Sequence, residues 1–275
     1  MKTKSALRLT EGAVMIALAT VLSMIKLADF PYGGSITAAS LFPIAVIAYR
    51  HGTAFGLSCG VVYGVIQQLL GLNNLSYFTT WQSIVAIILL DYVVAFAVFG
   101  LSGVLRKTGL NANVKMTLGV VLACVLRYLC HVISGCTVWA GLSIPTEAAL
   151  VYSLAYNATY MIPETLIAGI ATWYLFSLLD FDSPRLKRLS RKSDAALSRP
   201  VLACYRSSVL MAVLGVCYAI VRVFPLLQDE GGSFNFSGIA ALDVTSFSIV
   251  LGVLAVIILV LLTLGTILKN KKVNN

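Results

Sequence analysis

Charge is what this 275-residue chain has least of: Asp, Glu, Lys and Arg together make up 11% of it. Soluble domains carry about 25%. With 59% hydrophobic residues and a mean hydropathy of +0.91, the chain reads as an integral membrane protein. Histidine is scarcer still, with only His51, expected on the cytoplasmic side, and His131 inside an apolar run, so His131 has no second histidine nearby and no metal is expected. The six cysteines form no CxxC pair and all fall inside apolar runs, which excludes a disulfide framework and reads as small buried side chains. No Gly-Lys dipeptide and no HExxH helix occur. The chain therefore has no P-loop for ATP and no zinc-protease helix, and neither an enzyme nor a cofactor is expected.

Apolar runs are what the chain does have, at roughly 11–27, 38–49, 53–70, 79–105, 114–139, 147–180, 201–224 and 243–268. A full helical span takes about 20 residues, so the second is short. The first continues past the cleavage-like Ala17-Leu18-Ala19 as far as Leu27, and it is read as a retained helix rather than a signal peptide. Seventeen of the 20 basic residues fall on one set of alternating connections, including Lys2, Lys4, Arg8, Arg50, Arg106, Lys107 and the cluster from Arg185 to Arg206. By the positive-inside rule this predicts eight spans in the cell membrane with both termini cytoplasmic. The formal charge of +9 is then a matter of topology, and no nucleic-acid partner is expected.

Three segments differ in character. Residues 1–181 hold six predicted helices and nearly all the intramembrane polar groups. Residues 182–200 form a basic, Ser-rich cytoplasmic linker. Residues 201–275 add two plain apolar helices of unknown role. Gly56, Gly60 and Gly64 recur every four residues, as do Ala13 and Ala17. Such small-residue stripes let helix backbones approach closely in a bilayer.

The polar residues of the first segment fall into a pattern. Residues 127–139 read RYLCHVISGCTVW, which puts Arg127, His131, Gly135 and Trp139 along one slowly drifting helix stripe. Ionisable groups at membrane depth are costly and mark functional sites by default. At 1.5 Å per residue, Trp139 and Tyr152 lie near the outer surface. His131 and Asn157 fall about 12–14 Å down, and Asp91 and Arg127 about 18 Å. A pocket open to the outside would be lined in this way. Asp91, beside Tyr92, needs a partner at that depth: Arg127, or a cationic ligand, with Glu164 as the other carboxylate that could take Arg127. Gly135 leaves room for a flat ring that His131 and Trp139 can bracket. An aromatic wall beside a carboxylate suits a cationic heterocycle, at about 2 kcal/mol or more once desolvated. Two other classes can be drawn from the same residues. One is a gradient-driven carrier with Asp91 or Glu164 as proton relay. The other is a hydrolase using Asp91, His131 and Ser134 or Ser153.

Residues 8–181 resemble the substrate-binding S component of energy-coupling-factor (ECF) vitamin transporters, and within them the thiamine-specific (ThiT) family. The resemblance rests on LTEGAVMIALATVLS at 9–23, LFPIAVIAYRHG at 41–52, LDYVVAFAVFGLSG at 90–103, RYLCHVISGCTVW at 127–139 and YSLAYNATYMIPE at 152–164. It implies an all-α six-helix bundle with a vitamin site near the outer face. By position, it implies that Asp91 faces the thiazolium cation, that Tyr92 contributes a hydroxyl, that His131, Gly135 and Trp139 form a stacking wall, and that Tyr152 and Asn157 address the aminopyrimidine. DFPYGGSIT would be a lid bearing Phe30 or Tyr32. Ala13 and Ala17 would contact a transmembrane coupling subunit driven by two ATP-binding subunits, and thiamine or a related pyrimidine precursor would be the ligand. The resemblance also shows departures. The family's acidic residue is Glu where this chain has Asp91, Tyr152 and Asn157 stand about 140° apart on an ideal helix, and residues 182–275 have no counterpart in the family.

Overall fold

A computed structural model describes residues 2–183, 185–189, 199–227 and 236–273. It divides into two compact units, Met1–Arg188 and Leu189–Asn275. In the first, helix α1 (Lys2–Met24) leads into a short antiparallel hairpin of β1 (Lys26–Asp29) and β2 (Ser35–Thr37). Helices α2 (Phe42–His51), α3 (Thr53–Leu70), α4 (Trp81–Lys107), α5 (Ala112–Thr137) and α6 (Glu147–Leu178) follow. The two-residue strands β3 (Leu179–Asp180) and β4 (Lys187–Arg188) pair at the end of the unit. The second unit holds α7 (Arg199–Val223) and α8 (Val244–Val273).

Seven of these helices are long and apolar enough to cross a membrane: α1 and α3 to α8. The eighth expected span differs. Helix α2 has 10 residues, about 15 Å, half the hydrocarbon thickness. Pro43 opens it, and Gly52, at φ 97°, turns the chain straight into α3. The rest of that crossing is made by the hairpin, which folds into the bundle until Thr37 meets Glu164, 17 residues beyond Glu147 and roughly 26 Å along α6. Non-helical backbone is tolerated at such depth only where protein surrounds it, and Ile36 and Thr37 are both buried.

The glycine stripe of α3 faces α2 at Gly56 and α4 at Gly60 and Gly64. A Cβ on Gly56 would lie 2.7 Å from the Ala48 Cβ, one on Gly60 2.5 Å from the Phe96 carbonyl oxygen, and one on Gly64 2.5 Å from that of Tyr92. Backbone therefore packs on backbone, and the stripe is internal packing. Helix α4 itself departs from α geometry. Ile88–Val94 is wound as a π-helix, and Val98–Lys107 as a 3₁₀-helix. Both windings are rare at this length and are associated with functional sites and hinges. The buried core beneath includes Leu41, Ile44, Tyr63, Phe99, Met116 and Phe176.

At the end of the bundle away from the hairpin, Glu11 of α1 pairs with Arg50, and with His51 at 2.9 Å. Arg50 also donates to the carbonyls of Phe181 and Ser183, at 2.7 and 2.8 Å. These contacts tie α1, α2 and the end of α6 together. The Asp180 carboxyl, just beyond α6, is held below the usual carboxylate range by the Ser183 hydroxyl and nearby backbone N–H groups.

In the second unit, Tyr218 of α7 stacks on Phe247 of α8 with centroids 5.8 Å apart, and Gly265 admits the Tyr205 ring. Asp243 caps α8, accepting from the Ser246 N–H at 3.1 Å. The Ser246 hydroxyl, and after it that backbone bond, keeps its carboxyl below the usual range. Val253, Val256, Leu259 and Val260 of α8 are exposed, as lipid-facing residues of a membrane helix are. Residues 190–198 of the basic linker and 228–235 of the loop between α7 and α8 lie outside the described residues.

Candidate functional site

The hairpin, the 71–78 loop, α4, α5 and α6 enclose a cavity of about 930 Å³. All seven residues expected at a site, Asp91, Tyr92, His131, Gly135, Trp139, Tyr152 and Asn157, line it. The π-wound segment of α4 presents Asp91 to the stripe on α5. His131 Nδ1 lies 3.0 Å from Asp91 Oδ1, and the Trp139 indole N–H donates to Oδ2 at 3.1 Å. An ionised carboxylate only accepts, so with Asp91 charged the proton of His131 sits on Nδ1. Nε2 is left as a buried atom with no partner among the described residues. Both oxygens of one carboxylate are thus fixed by two side chains eight residues apart. Asp91 is 14% exposed and His131 10%, so water screens the charge weakly.

Other polar groups are fixed in turn. Asn74 donates to the Tyr92 hydroxyl at 3.0 Å. Asn157 donates to the Ser153 carbonyl at 2.9 Å and to the His131 carbonyl at 3.3 Å, and accepts from the Tyr160 hydroxyl. Gly135 has a definite packing reason. A Cβ there would overlap the Ser153 hydroxyl and lie 3.5 Å from Asn157 Nδ2, so glycine lets α6 approach α5. Tyr152 and Asn157 do point apart. Asn157 is buried, whereas Tyr152 is 46% exposed and stacks on Tyr156 at 6.2 Å and 8°.

Over the cavity lies an aromatic roof. Tyr32, at φ 63° in the hairpin turn, meets Trp139, Tyr77 and Tyr156 edge-on, at 5.6, 5.3 and 6.2 Å. Phe78 abuts Trp139 at 4.7 Å. Phe30 packs lower, against Tyr160. Tyr77, Phe78, Tyr156 and Asn74 were not singled out from sequence. The NNLSYF run at 73–78, polar and aromatic residues between apolar helices, is the signal that could have pointed to three of them.

One expectation is corrected. Arg127 does not pair with Asp91 or Glu164. Asp91 is taken by His131 and Trp139, and both oxygens of Glu164 accept from Thr37. The Arg127 guanidinium lies over the Phe96 ring at 4.5 Å, and its Nε is buried with no partner among the described residues. A cation thus lines the floor of the cavity, with an aromatic face as its neighbour.

The hydrolase alternative gains no geometry. Ser153 donates to the Val132 carbonyl, and neither it nor Ser134 is bonded to His131. The letters Gly56-x-Ser58-x-Gly60 match a nucleophile elbow but lie within α3, where Ser58 donates to Ala54. An elbow requires a strand-to-helix turn. Among the described residues no group of three His, Cys, Asp or Glu side chains could hold a metal.

The sequence model of the thiamine transporter protein family (Thia_YuaJ) matches residues 9–181. The chain is 35% identical over 206 residues to the thiamine transporter ThiT of Bacillus subtilis, an alignment covering 71% of this chain and 99% of that protein. This chain belongs to the thiamine transporter family. A second thiamine transporter ThiT, from Lacticaseibacillus paracasei, is 25% identical over 61% of this chain and 86% of its own length. The structure of ThiT from Listeria monocytogenes superimposes with a TM-score of 0.51 at 25% identity, over 63% of this chain and 94% of that one. The family is one of multi-pass membrane transport proteins and not of enzymes, and its matched region contains every cavity residue named above.

Proposed function

We propose that this chain is the substrate-binding subunit for thiamine uptake, holding the vitamin in the roofed cavity. It would release the vitamin through an ATP-driven ECF module of one transmembrane coupling subunit and two ATP-binding subunits. The carrying observation is the Asp91 carboxylate, set by His131 and Trp139 at the side of an aromatic chamber. Thiamine offers a permanent cation on a flat ring. The carboxylate would meet the charge while His131 and Trp139 face the ring. Tyr92 and Arg127 would address the hydroxyethyl arm, and Asn157 and Tyr152 the aminopyrimidine. The hairpin is the lid, with Tyr32 rather than Phe30 at its closing edge. Membership of a thiamine transporter family supports the ligand, and the missing P-loop supports an external source of ATP energy.

In this reading the hairpin end faces outside and both termini are cytoplasmic, which the basic residues on the opposite connections support. Residues 1–181 form the binding domain, 182–200 a cytoplasmic linker, and 201–275 an accessory pair of helices. Ala13 and Ala17 are exposed on α1, where a coupling subunit could pack closely. The test is titration of the purified chain with thiamine, followed by intrinsic fluorescence. Trp139 should be quenched with saturation. No quenching, together with no heat of binding by calorimetry, overturns the assignment.

A further inference from the structure

The hairpin is seated on one stripe of α6. Tyr156, Tyr160 and Glu164 recur every four residues and meet it from tip to base. Tyr156 receives the Tyr32 ring, Phe30 packs on Tyr160, and a Cβ on Gly34 would lie 2.9 Å from both tyrosines. At the base the contact is a pair of hydrogen bonds to one carboxyl group. The Thr37 N–H donates to Glu164 Oε2 at 2.7 Å, and the Thr37 hydroxyl to Oε1 at 2.7 Å. That hydroxyl accepts in turn from Ser40, 2.8 Å away. Glu164 is 2% exposed, Thr37 6% and Ser40 3%. Hydrogen bonds shielded from water are stronger than the same bonds at a surface, and breaking them leaves a buried carboxyl group unpaired. The tip is held by edge-on ring contacts worth about 0.5–1.5 kcal/mol each and by a hydrogen bond of the Gly34 backbone with the Tyr156 hydroxyl.

We propose that Glu164 is the anchor of the lid: its clasp on Thr37 fixes the base of the hairpin, so that the tip lifts as a flap and the clasp sets how often it opens. This rests on the reading of the cavity as the thiamine site and of the hairpin as its cover. Glu164 acts through Thr37, as a positioning residue. Arg127, a cation lining the same cavity, lies over the Phe96 ring, and the hydrogen bonds of the carboxyl group go to the hairpin.

Loosening the clasp destabilises the closed lid equally with and without ligand, so entry and exit accelerate together. Thr37→Val preserves shape and the backbone bond while deleting the hydroxyl, and Glu164→Gln preserves shape while exchanging one acceptor oxygen for a donor amide. In stopped-flow fluorescence with thiamine, each variant should raise the association and dissociation rates by fivefold or more, with Kd within threefold of wild type. Acceleration of dissociation alone, with Kd weakened in proportion, would make Glu164 a ligand contact and overturn the proposal. Unchanged rates overturn it too. Hydrogen exchange of the ligand-free protein supplies a readout independent of thiamine. Amides of residues 26–37 should lose tenfold or more in protection while those of α5 keep theirs. Unchanged hairpin protection sinks the clasp even if thiamine binds, and lost protection upholds it even if another ligand proves to be the substrate.

Discussion

Replacing Asp91 by Asn removes a charge while leaving the surrounding bonds satisfiable. The amide oxygen can still accept from the Trp139 indole. The amide NH₂ can donate to His131 Nδ1 once the imidazole proton moves to Nε2, which has no other partner among the described residues. The network therefore survives as a neutral one, and the variant isolates electrostatics. A unit charge about 5 Å from the carboxylate gains ~3.3 kcal/mol at an effective dielectric of about 20. That is a factor of roughly 250 in Kd. The amide dipole retains part of this attraction, which makes a tenfold loss the floor. Calorimetric titration in detergent should show thiamine weakened by at least tenfold, while the isolated hydroxymethyl-pyrimidine half, carrying no permanent charge, changes little. Thiamine affinity within threefold of wild type would refute the argument, provided the melting temperature shows the variant to be folded.

Gly135→Ala should lower thermal stability by about 1–3 kcal/mol, the usual cost of overpacking, because the new methyl overlaps the Ser153 hydroxyl. Adding Ser153→Ala should recover part of that loss in a detergent melting assay. Ala13→Trp or Ala17→Trp should leave thiamine binding intact and abolish uptake by whole cells expressing the complete transporter. An equal fall in binding would make the alanine stripe internal packing. Truncation after Arg188 should leave the thiamine Kd within threefold, since every cavity residue lies in the first compact unit and Bacillus subtilis ThiT is matched over 99% of its length by 71% of this chain. A large loss of affinity would give α7 and α8 a part in the site.

The sequence made much of this site legible because helical periodicity is local. His131 and Trp139, eight residues apart on one stripe, do reach the same carboxylate, and Asp91 was conspicuous as a charge inside an apolar run. The partner of each charge was not legible. Asp91 with His131 spans 40 residues and Glu164 with Thr37 spans 127, and both pairings depend on how helices rotate against one another. Arg127 was placed correctly on the stripe and given the wrong company, because nothing local reveals that Phe96 lies beneath it. The short α2 was visible as a short run, but a strand completing the crossing was not, since residues 26–37 read as an external loop. The 140° between Tyr152 and Asn157 leaves one at the mouth of the cavity and the other on its buried wall.

The π-wound turn at Ile88–Val94 has an evolutionary reading. A π turn arises when one residue is inserted into an ordinary helix, and its widened ring leaves the flanking turns in place while re-aiming the residues within it. Asp91 sits in the middle of that turn. Excising one residue between Ile88 and Leu90 would restore regular winding and swing the carboxylate by about 100° relative to the rest of α4. Asp91 would then turn away from His131 and Trp139, while the helix remained long enough to span. On the proposed reading of Asp91, the presence or absence of a cation site in this protein is separated by the smallest possible change of length, a single codon.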